Sequence, residues 1–384
     1  MSQTVLQLMK VYKGNAKLIN EMAKAHKGRY RTVTCYMSGT PDGYNQMENV
    51  VDETVYLNIP SKKVIWTCWS TLRKIAQLID EKNIDLVVCQ FRRPIPIGIL
   101  ASKISNAKPQ VIGVLHGIVG GKVGLGRKII NLILYRYLTY IVSVSINGIS
   151  DIIRMNWGIK KEKVVAIQNG IDFEPIINAT IQDKGKVFGS EFSNKFLFGA
   201  VGRLTHVKNH QRLLSAFKIL SKRHANIRLV IVGKGPIAAD LGRFVEQHQM
   251  QDLVCFTGFR QEIPTLLKSL DVYVMPSLRE GLPLALLEAM AAGLPIITSN
   301  TSGMKEVIGD CDCGELVNPE DVNSIVLAME KMLSQPTDSL VDMGQRARER
   351  ALNKFSSARM VSDYEALYSQ ILGVNVHSEQ KAVK

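Results

Sequence analysis

The segment Pro276 to Asn300, PSLREGLPLALLEAMAAGLPIITSN, decides the reading of the chain. It follows Asp271-Val272-Tyr273-Val274-Met275, an apolar run of strand-forming residues closed by a proline that cannot extend a ladder. Glu280 and Gly281 fall in a turn, and Pro283 suits the first position of a helix. Leu284, Leu287, Ala291 and Leu294 then share one face, and Gly293 with Pro295 ends the helix before a second buried strand. Two carboxylates bracket the turn, Glu280 before the helix and Glu288 two turns into it. Amides at a helix start lack internal partners and sit in a positive dipole field, so those of Gly281, Leu282 and Leu284 suit a phosphate or hydroxyl-rich ligand. The same spacing also describes an ordinary capping acid followed by a solvated glutamate.

Working outward, 384 residues are too many for one ordinary core, and two domains are expected. A charged fraction of 21% fits a soluble globular protein. The six cysteines are scattered through apolar runs and read as buried thiols of a reducing compartment, not a disulfide framework. The start, MSQTVLQLMKVYKGN, lacks the pattern of a signal peptide, and Ile129 to Ser150 is too interrupted for a spanning helix. Charge is uneven: residues 1–190 hold 26 Lys/Arg and 13 Asp/Glu (+13), and residues 191–384 hold 22 and 21 (+1). No acid lies between Asp85 and Asp151, an interval carrying Arg92, Arg93, Lys103, Lys108, Lys122, Arg127, Lys128 and Arg136.

Strand and helix patterns alternate through the first half. Strands are expected at Thr4 to Val11, Tyr30 to Met37, Leu86 to Cys89, Val111 to His116, Tyr140 to Ser145 and Val164 to Ile167. Helices are expected at Asn15 to His26 and Val64 to Glu81. This is the pattern of a parallel, doubly wound sheet with functional loops at the strand carboxyl ends. Residues 1–172 form a first, acceptor domain. Residues 173–195 lose the pattern and read as a linker. The alternation restarts in 196–357, with strands from Phe196, Arg228, Leu253, Val272, Pro295 and Glu315 and helices over Asn209 to Lys222, Val322 to Leu333 and Leu340 to Phe355. A last helix, 358–372, is expected to cross back to the first domain, and 373–384 is a tail.

Outside the opening segment, Gly202-Arg203-Leu204 follows a strand, with Lys208 close behind. Two cations at a strand's carboxyl end suit a diphosphate, or form a solvated basic loop. Gly233, in Val232-Gly233-Lys234-Gly235, either admits a phosphate or only solves backbone geometry. Asp310-Cys311-Asp312-Cys313 has no further ligands at metal-site spacing and reads as a structural turn. The glycine-rich run Gly120 to Gly126 lacks a preceding strand and is no dinucleotide fingerprint; it reads as an acceptor loop. In Arg127 to Ile141, Lys128, Asn131, Tyr135 and Thr139 fall along one side of a helix. Ile130, Ile133, Leu134, Tyr137 and Ile141 fall along the other; such a stripe is more often that of a helix packed on its own sheet, and even then Arg127 and Lys128 at its start are expected to face outward.

Glu280-Gly281-Leu282-Pro283-Leu284 through Glu288, followed by Ala289-Met290-Ala291-Ala292-Gly293-Leu294-Pro295, resembles the Glu-x7-Glu signature of the retaining glycosyltransferases of family 4. The resemblance implies an α/β fold of GT-B type, two Rossmann-like domains facing across a cleft, and a UDP- or GDP-linked sugar as donor, with no metal and no cofactor. It implies that Glu280 and the following amides hold the donor sugar and that Glu288 binds the ribose. The family often has Phe-Gly where Leu282-Pro283 stands, and Pro283 contributes no amide. Val201-Gly202-Arg203-Leu204 with Lys208-Asn209 resembles the family's diphosphate segment, and Thr257-Gly258-Phe259-Arg260 its nucleobase edge. His116 stands where family members place a histidine near the donor sugar's primary hydroxyl; the alternative is a satisfied loop histidine. Gly14 stands where a Gly-Gly turn usually lies beside the donor phosphates.

The expected activity is therefore metal-independent sugar transfer. The basic half, with Arg92, Arg93, Lys122, Arg127 and Lys128, points to an anionic partner. The leading case is a lipid-linked or phosphorylated glycan, such as lipopolysaccharide core, met at the cytoplasmic face of an inner membrane. Nucleotide-sugar epimerisation, glucan phosphorolysis and an inactive membrane-complex scaffold are the alternatives. A nucleic-acid binder is disfavoured by the lack of aromatic-basic interleaving or a helix-turn-helix.

Overall fold

The computed structural model describes residues 3–11, 29–39, 51–116 and 124–373. The helix expected over Asn15 to His26, Gly14, Lys122, most of the Gly120 to Gly126 run and the tail after Gly373 lie outside them, as does the side chain of Arg127. The chain divides into two compact units, Met1–Gly170 with Ser357–Lys384, and Ile171–Ser356.

The first unit holds seven parallel strands: β1 Thr4–Val11, β2 Arg31–Ser38, β3 Glu53–Tyr56, β4 Leu86–Gln90, β5 Gln110–Leu115, β6 Tyr140–Ser143 and β7 Val164–Ala166. Their order is β3-β2-β1-β4-β5-β6-β7. All five residues of β4 are buried, as a central parallel strand covered on both faces requires. Helices α1 Trp69–Glu81, α2 Pro94–Ile104, α3 Leu125–Leu134 and α4 Gly148–Met155 connect the later strands. The helix expected from Val64 starts at Trp69, because Ser61–Lys63 forms a separate 3-10 turn. β3 escaped the sequence reading: it is a short edge strand with no fully buried residue.

The second unit opens with α5 Glu174–Ile177 and α6 Lys184–Phe188. Residues 173–195 are thus not a free linker. Phe173, Ile176, Phe188 and Phe192 are buried, and Lys184 pairs with Asp271 at 2.5 Å. Six parallel strands follow: β8 Phe196–Val201, β9 Ile227–Val232, β10 Val254–Gly258, β11 Val272–Met275, β12 Ile296–Ser299 and β13 Gly314–Val317. Their order, β10-β9-β8-β11-β12-β13, reverses direction between β8 and β11, the switch point where doubly wound sheets bind ligands. The helices are α7 His210–Ser221, α8 Ala238–Gln247, α9 Ile263–Lys268, α10 Leu284–Ala291, α11 Ser302–Ile308, α12 Val322–Leu333 and α13 Thr337–Lys354.

The last helix, α14 Ser357–Leu372, belongs to the first unit. Tyr30 Oη lies 3.1 Å from Ser369 Oγ, and Gln370 Nε2 donates to Tyr140 Oη at 2.9 Å.

The cysteine reading needs correction. Cys35 and Cys89 are buried thiols, and burial pushes both up, Cys35 to about 12. Cys311 and Cys313, however, form a disulfide in the turn before β13. Cys68 is only half-buried, and hydrogen bonds from Ser70 and Thr71 lower its thiol to about 7.

Candidate functional site

In the second unit, three strand ends carry loops that are stitched together. Gly202 N donates to Val232 O at 3.0 Å, Gly233 N to Gly258 O at 2.8 Å, and Leu204 N to Lys234 O at 3.0 Å. A Cβ on Gly233 would lie 1.9 Å from Gly202 O, so its glycine character is accounted for by backbone approach. Behind Gly202 runs the Lys208 side chain, whose Cε would sit 3.4 Å from a Cβ at that position.

Lys208 ends a 3-10 turn and reaches Glu280, its Nζ 2.6 Å from Oε1, with both side chains about four-fifths shielded from solvent. This pairing joins the two motif segments directly. Asn209 holds the same two loops together. Its Nδ2 donates to Pro276 O at 3.0 Å and to Pro319 O at 2.7 Å, from a buried left-handed backbone (φ 60°) that asparagine tolerates. Leu278 N adds a bond to Val207 O at 2.8 Å. The sequence reading missed Asn209 as an anchor, although a lone asparagine between a cationic turn and a helix is the available signal.

α10 begins one residue later than expected. Pro283 is its N-cap in an extended conformation (ψ 121°), and Leu286 and Leu287 make the first bonds back to Pro283 O. The amides of Gly281 and Leu282 therefore belong to the turn; only those of Leu284 and Ala285 precede the first helical bond. The Leu282 side chain is buried and presents no surface to a ligand. Under the turn, Tyr273 donates from its hydroxyl to Val201 O at 3.2 Å. Burial raises this phenol's pKa well above its usual value, and the charges of Glu288 and then Glu280 push the same way. Both carboxylates thus act on one buried hydroxyl from opposite ends of the signature.

A further contact was not legible in the sequence. Gly303, in the first turn of α11, backs the Glu280–Gly281 turn so closely that a Cβ would fall 2.2 Å from Gly281 O.

At the rim, Arg203 is exposed and Phe259 is 60% exposed beyond β10. Arg260 is held locally, its Nε 2.7 Å from Glu262 Oε1.

In the first unit, His116 follows β5, half-buried, with Nε2 2.5 Å from Gln90 Oε1 and its ring centroid 4.4 Å from that of Phe91. Burial lowers its pKa to about 4, so the imidazole is neutral at pH 7. Arg92 is half-buried and Arg93 exposed at the start of α2. The faces of α3 differ from expectation. Asn131 and Tyr135 point inward, Asn131 Nδ2 donating to Asn156 Oδ1 at 2.6 Å, while Leu125 (64% exposed), Ile129, Leu132 and Ile133 face out. Lys128 does not simply project outward; its Nζ lies 4.9 Å from the Trp157 ring centroid. Among the described residues no cluster of three or more His, Cys, Asp or Glu side chains forms a metal site.

Two family models match, Glycosyl transferases group 1 over residues 183–350 and Glycosyltransferase Family 4 over residues 12–175. The N-acetyl-alpha-D-glucosaminyl L-malate synthase of Bacillus anthracis is 28% identical over 306 residues, 78% of each chain. The UDP-Gal:alpha-D-GlcNAc-diphosphoundecaprenol alpha-1,3-galactosyltransferase of Escherichia coli is 27% identical over 311 residues, again 78% of each. In fold, Anabaena Alr3699/HepE, crystallised in complex with UDP and glucose, superposes with a TM-score of 0.83 at 18% identity, over 96% of this chain and 100% of that one. The protein is thus an α/β enzyme of the GT-B fold, a glycosyltransferase. Its second half matches the group 1 model and its first half the Family 4 model.

Proposed function

We propose that this enzyme moves a sugar, with retention of anomeric configuration, from a UDP- or GDP-linked donor to a lipid-linked or phosphorylated glycan of a bacterial cell envelope, lipopolysaccharide core being the leading case. The observation that carries the donor half of this reading is the Lys208–Glu280 pair at the sheet's switch point. Sugar transfer passes through an oxocarbenium-like state while negative charge builds on the departing diphosphate. In this reading Lys208 and Arg203 face that diphosphate and Glu280 orients the sugar. Leu284 and the turn amides of Gly281 and Leu282 hold its oxygens, Glu288 takes the ribose and Phe259 edges the base. Arg260, tied to Glu262, has a lesser part. His116 lies in the other unit, and its part in the same reaction rests on the family resemblance.

The acceptor half is supported by the charge asymmetry and by the outward apolar face of α3. Both Trp66 and Trp69 are also exposed, beside Lys62, Lys63, Arg73 and Lys74. Aromatic and basic residues together suit a lipid headgroup region, each cation contributing about 1 kcal/mol on an anionic surface. No helix among the described residues is long and apolar enough to cross a membrane. The proposal is peripheral contact at the cytoplasmic face, with the Escherichia coli relative's named diphosphoundecaprenol acceptor as the chemical precedent.

The test is a donor screen by thermal shift, in which a donor at a hundred times its dissociation constant adds about 2.7 kcal/mol. Turnover follows with vesicle-borne polyprenyl diphosphate-linked sugar, scored by the product's anomeric proton. An inverted product overturns retention. Free epimer, sugar phosphate or no product points to the epimerase, phosphorylase or scaffold alternatives. Sedimentation with anionic but not neutral vesicles supports the membrane contact; equal or no binding overturns it and favours a soluble anionic acceptor.

A further inference from the structure

Two buried glutamines lie on adjacent central strands of the first unit, Gln7 within β1 and Gln90 at the carboxyl end of β4, at 1% and 0% exposure. Leu6, Leu8, Val88 and Cys89 around them are fully buried, while Phe91, which follows Gln90, is exposed. A buried amide is costly unless it is bonded, and apolar side chains would pack here without that cost. The pair is bonded in one direction. Gln7 Nε2 donates to Tyr368 Oη of α14 at 3.4 Å, Gln90 Nε2 donates to Gln7 Oε1 at 2.8 Å, and Gln90 Oε1 is left facing His116 Nε2 at 2.5 Å. Tyr368 is itself buried, and burial raises its pKa, so it stays a neutral phenol. The chain therefore runs from the C-terminal helix, through the two central strands, to the candidate histidine.

An amide oxygen only accepts. With Gln90 Nε2 committed to Gln7, its Oε1 faces His116 Nε2 and calls for the single proton of a neutral imidazole there; reversing both amides would reverse the chain, and the tautomer distinguishes the two orientations. We propose that Gln90, Gln7 and Tyr368 are positioning residues that fix His116 as the Nε2–H tautomer, with the Nδ1 lone pair free to accept from a substrate hydroxyl. Burial keeps the ring neutral, desolvation being the cause of its lowered pKa, and Phe91 packs against it at 4.4 Å with its ring tilted by 38°. The return of α14 to the first unit thereby acquires a second role: it supplies the far end of the relay. Only the consequence for turnover rests on the transferase reading; the tautomer is a property of the free protein.

The experiment is nitrogen NMR of the full chain carrying labelled histidine, with His116 assigned by loss of its signal in His116→Gln. The expected spectrum at pH 7 is the Nε2–H tautomer. Gln90→Leu should yield a mixture of tautomers, with turnover down about tenfold to a hundredfold and donor KM within about twofold. Gln90→Glu, which keeps an accepting oxygen, should retain the tautomer and raise the pKa of His116. It also guards against a Gln90→Leu chain that fails to fold. Tyr368→Phe should weaken the preference while leaving the fold intact. A wild-type Nδ1–H tautomer, or no change in Gln90→Leu, overturns the proposal. Full activity in His116→Gln would instead overturn the catalytic reading of His116 and leave the tautomer result standing.

Discussion

Substituting Gly303 by alanine tests whether the Glu280 turn must sit where it does. Gly303 has no need of a positive φ; it lies in α11, where alanine alone would favour the helix by about 1 kcal/mol. The added Cβ would meet Gly281 O at 2.2 Å and Glu280 O at 2.5 Å, where real contacts essentially never fall under 3.0 Å. Relief needs a shift of roughly 0.8 Å, the difference between 3.0 and 2.2. Both obstructing atoms are backbone, so either α11 or the turn carrying Glu280 must move. A misplacement of about 1 Å at a reacting centre costs on the order of a hundredfold in rate, or about 2.7 kcal/mol of activation. The assay is nucleoside diphosphate release at saturating donor, with the thermal midpoint measured alongside. Gly303→Ala is expected to fold, to bind nucleoside diphosphate with little change, and to turn over about a hundredfold more slowly. Wild-type turnover in a chain with an unchanged midpoint would refute the reasoning, because it would mean that the turn moves freely without consequence.

Lys208→Met should weaken affinity for a nucleoside diphosphate far more than for the nucleoside, whereas Glu280→Gln should lower kcat more than donor affinity. Calorimetry and initial rates on the double variant should show coupling above about 0.5 kcal/mol, and strict additivity would separate the two residues. Asn209→Ala removes both donor bonds, to Pro276 O and Pro319 O, and strains a left-handed backbone, so urea unfolding should record a loss of about 2–3 kcal/mol. Asn209→Gly, which relieves the strain, should lose less. Burial holds His116 and His210 near a pKa of about 4, with Lys208 adding to the effect on His210. The unfolded chain binds these protons first, near pH 6.5, so stability is full above that value, falls as pH drops from 6.5 to about 4, and levels off below 4. The loss is about 3 kcal/mol per histidine over the whole window. His210→Gln should flatten the dependence of the urea midpoint on pH, and an unchanged slope would contradict the assignment.

Much of the fold could be read from the chain alone. A parallel strand buried on both faces must be a continuous apolar run, and a helix lying on such a sheet must repeat its apolar residues every third or fourth position. Val272–Met275 and Val322–Leu333 accordingly begin and end where the pattern says they do. The Glu280 and Lys208 segments stood out because acids, glycines and cations collect at strand ends. Where the pattern is weak, the reading failed. β3 is short and half-buried, and the polar residues of 173–195 obscured four widely spaced aromatic and aliphatic anchors. In α3 the period was visible but not its orientation, because a stripe does not say which side meets a neighbour; Asn131 found Asn156 inside, and Ile129 and Ile133 were left outside.

The convergence of distant side chains was decided by tertiary structure alone. Lys208 meets Glu280 because β8 and β11 are neighbours in the sheet, and Gly303 meets the turn because α11 follows β12 beside it. Gln7 meets Tyr368, 361 residues away, because α14 returns to the first unit. Periodicity is a local property, set by the geometry of a few turns of helix or a few residues of strand. Which strand lies beside which is set by the packing of the whole sheet, and that order determines which carboxylate faces which cation.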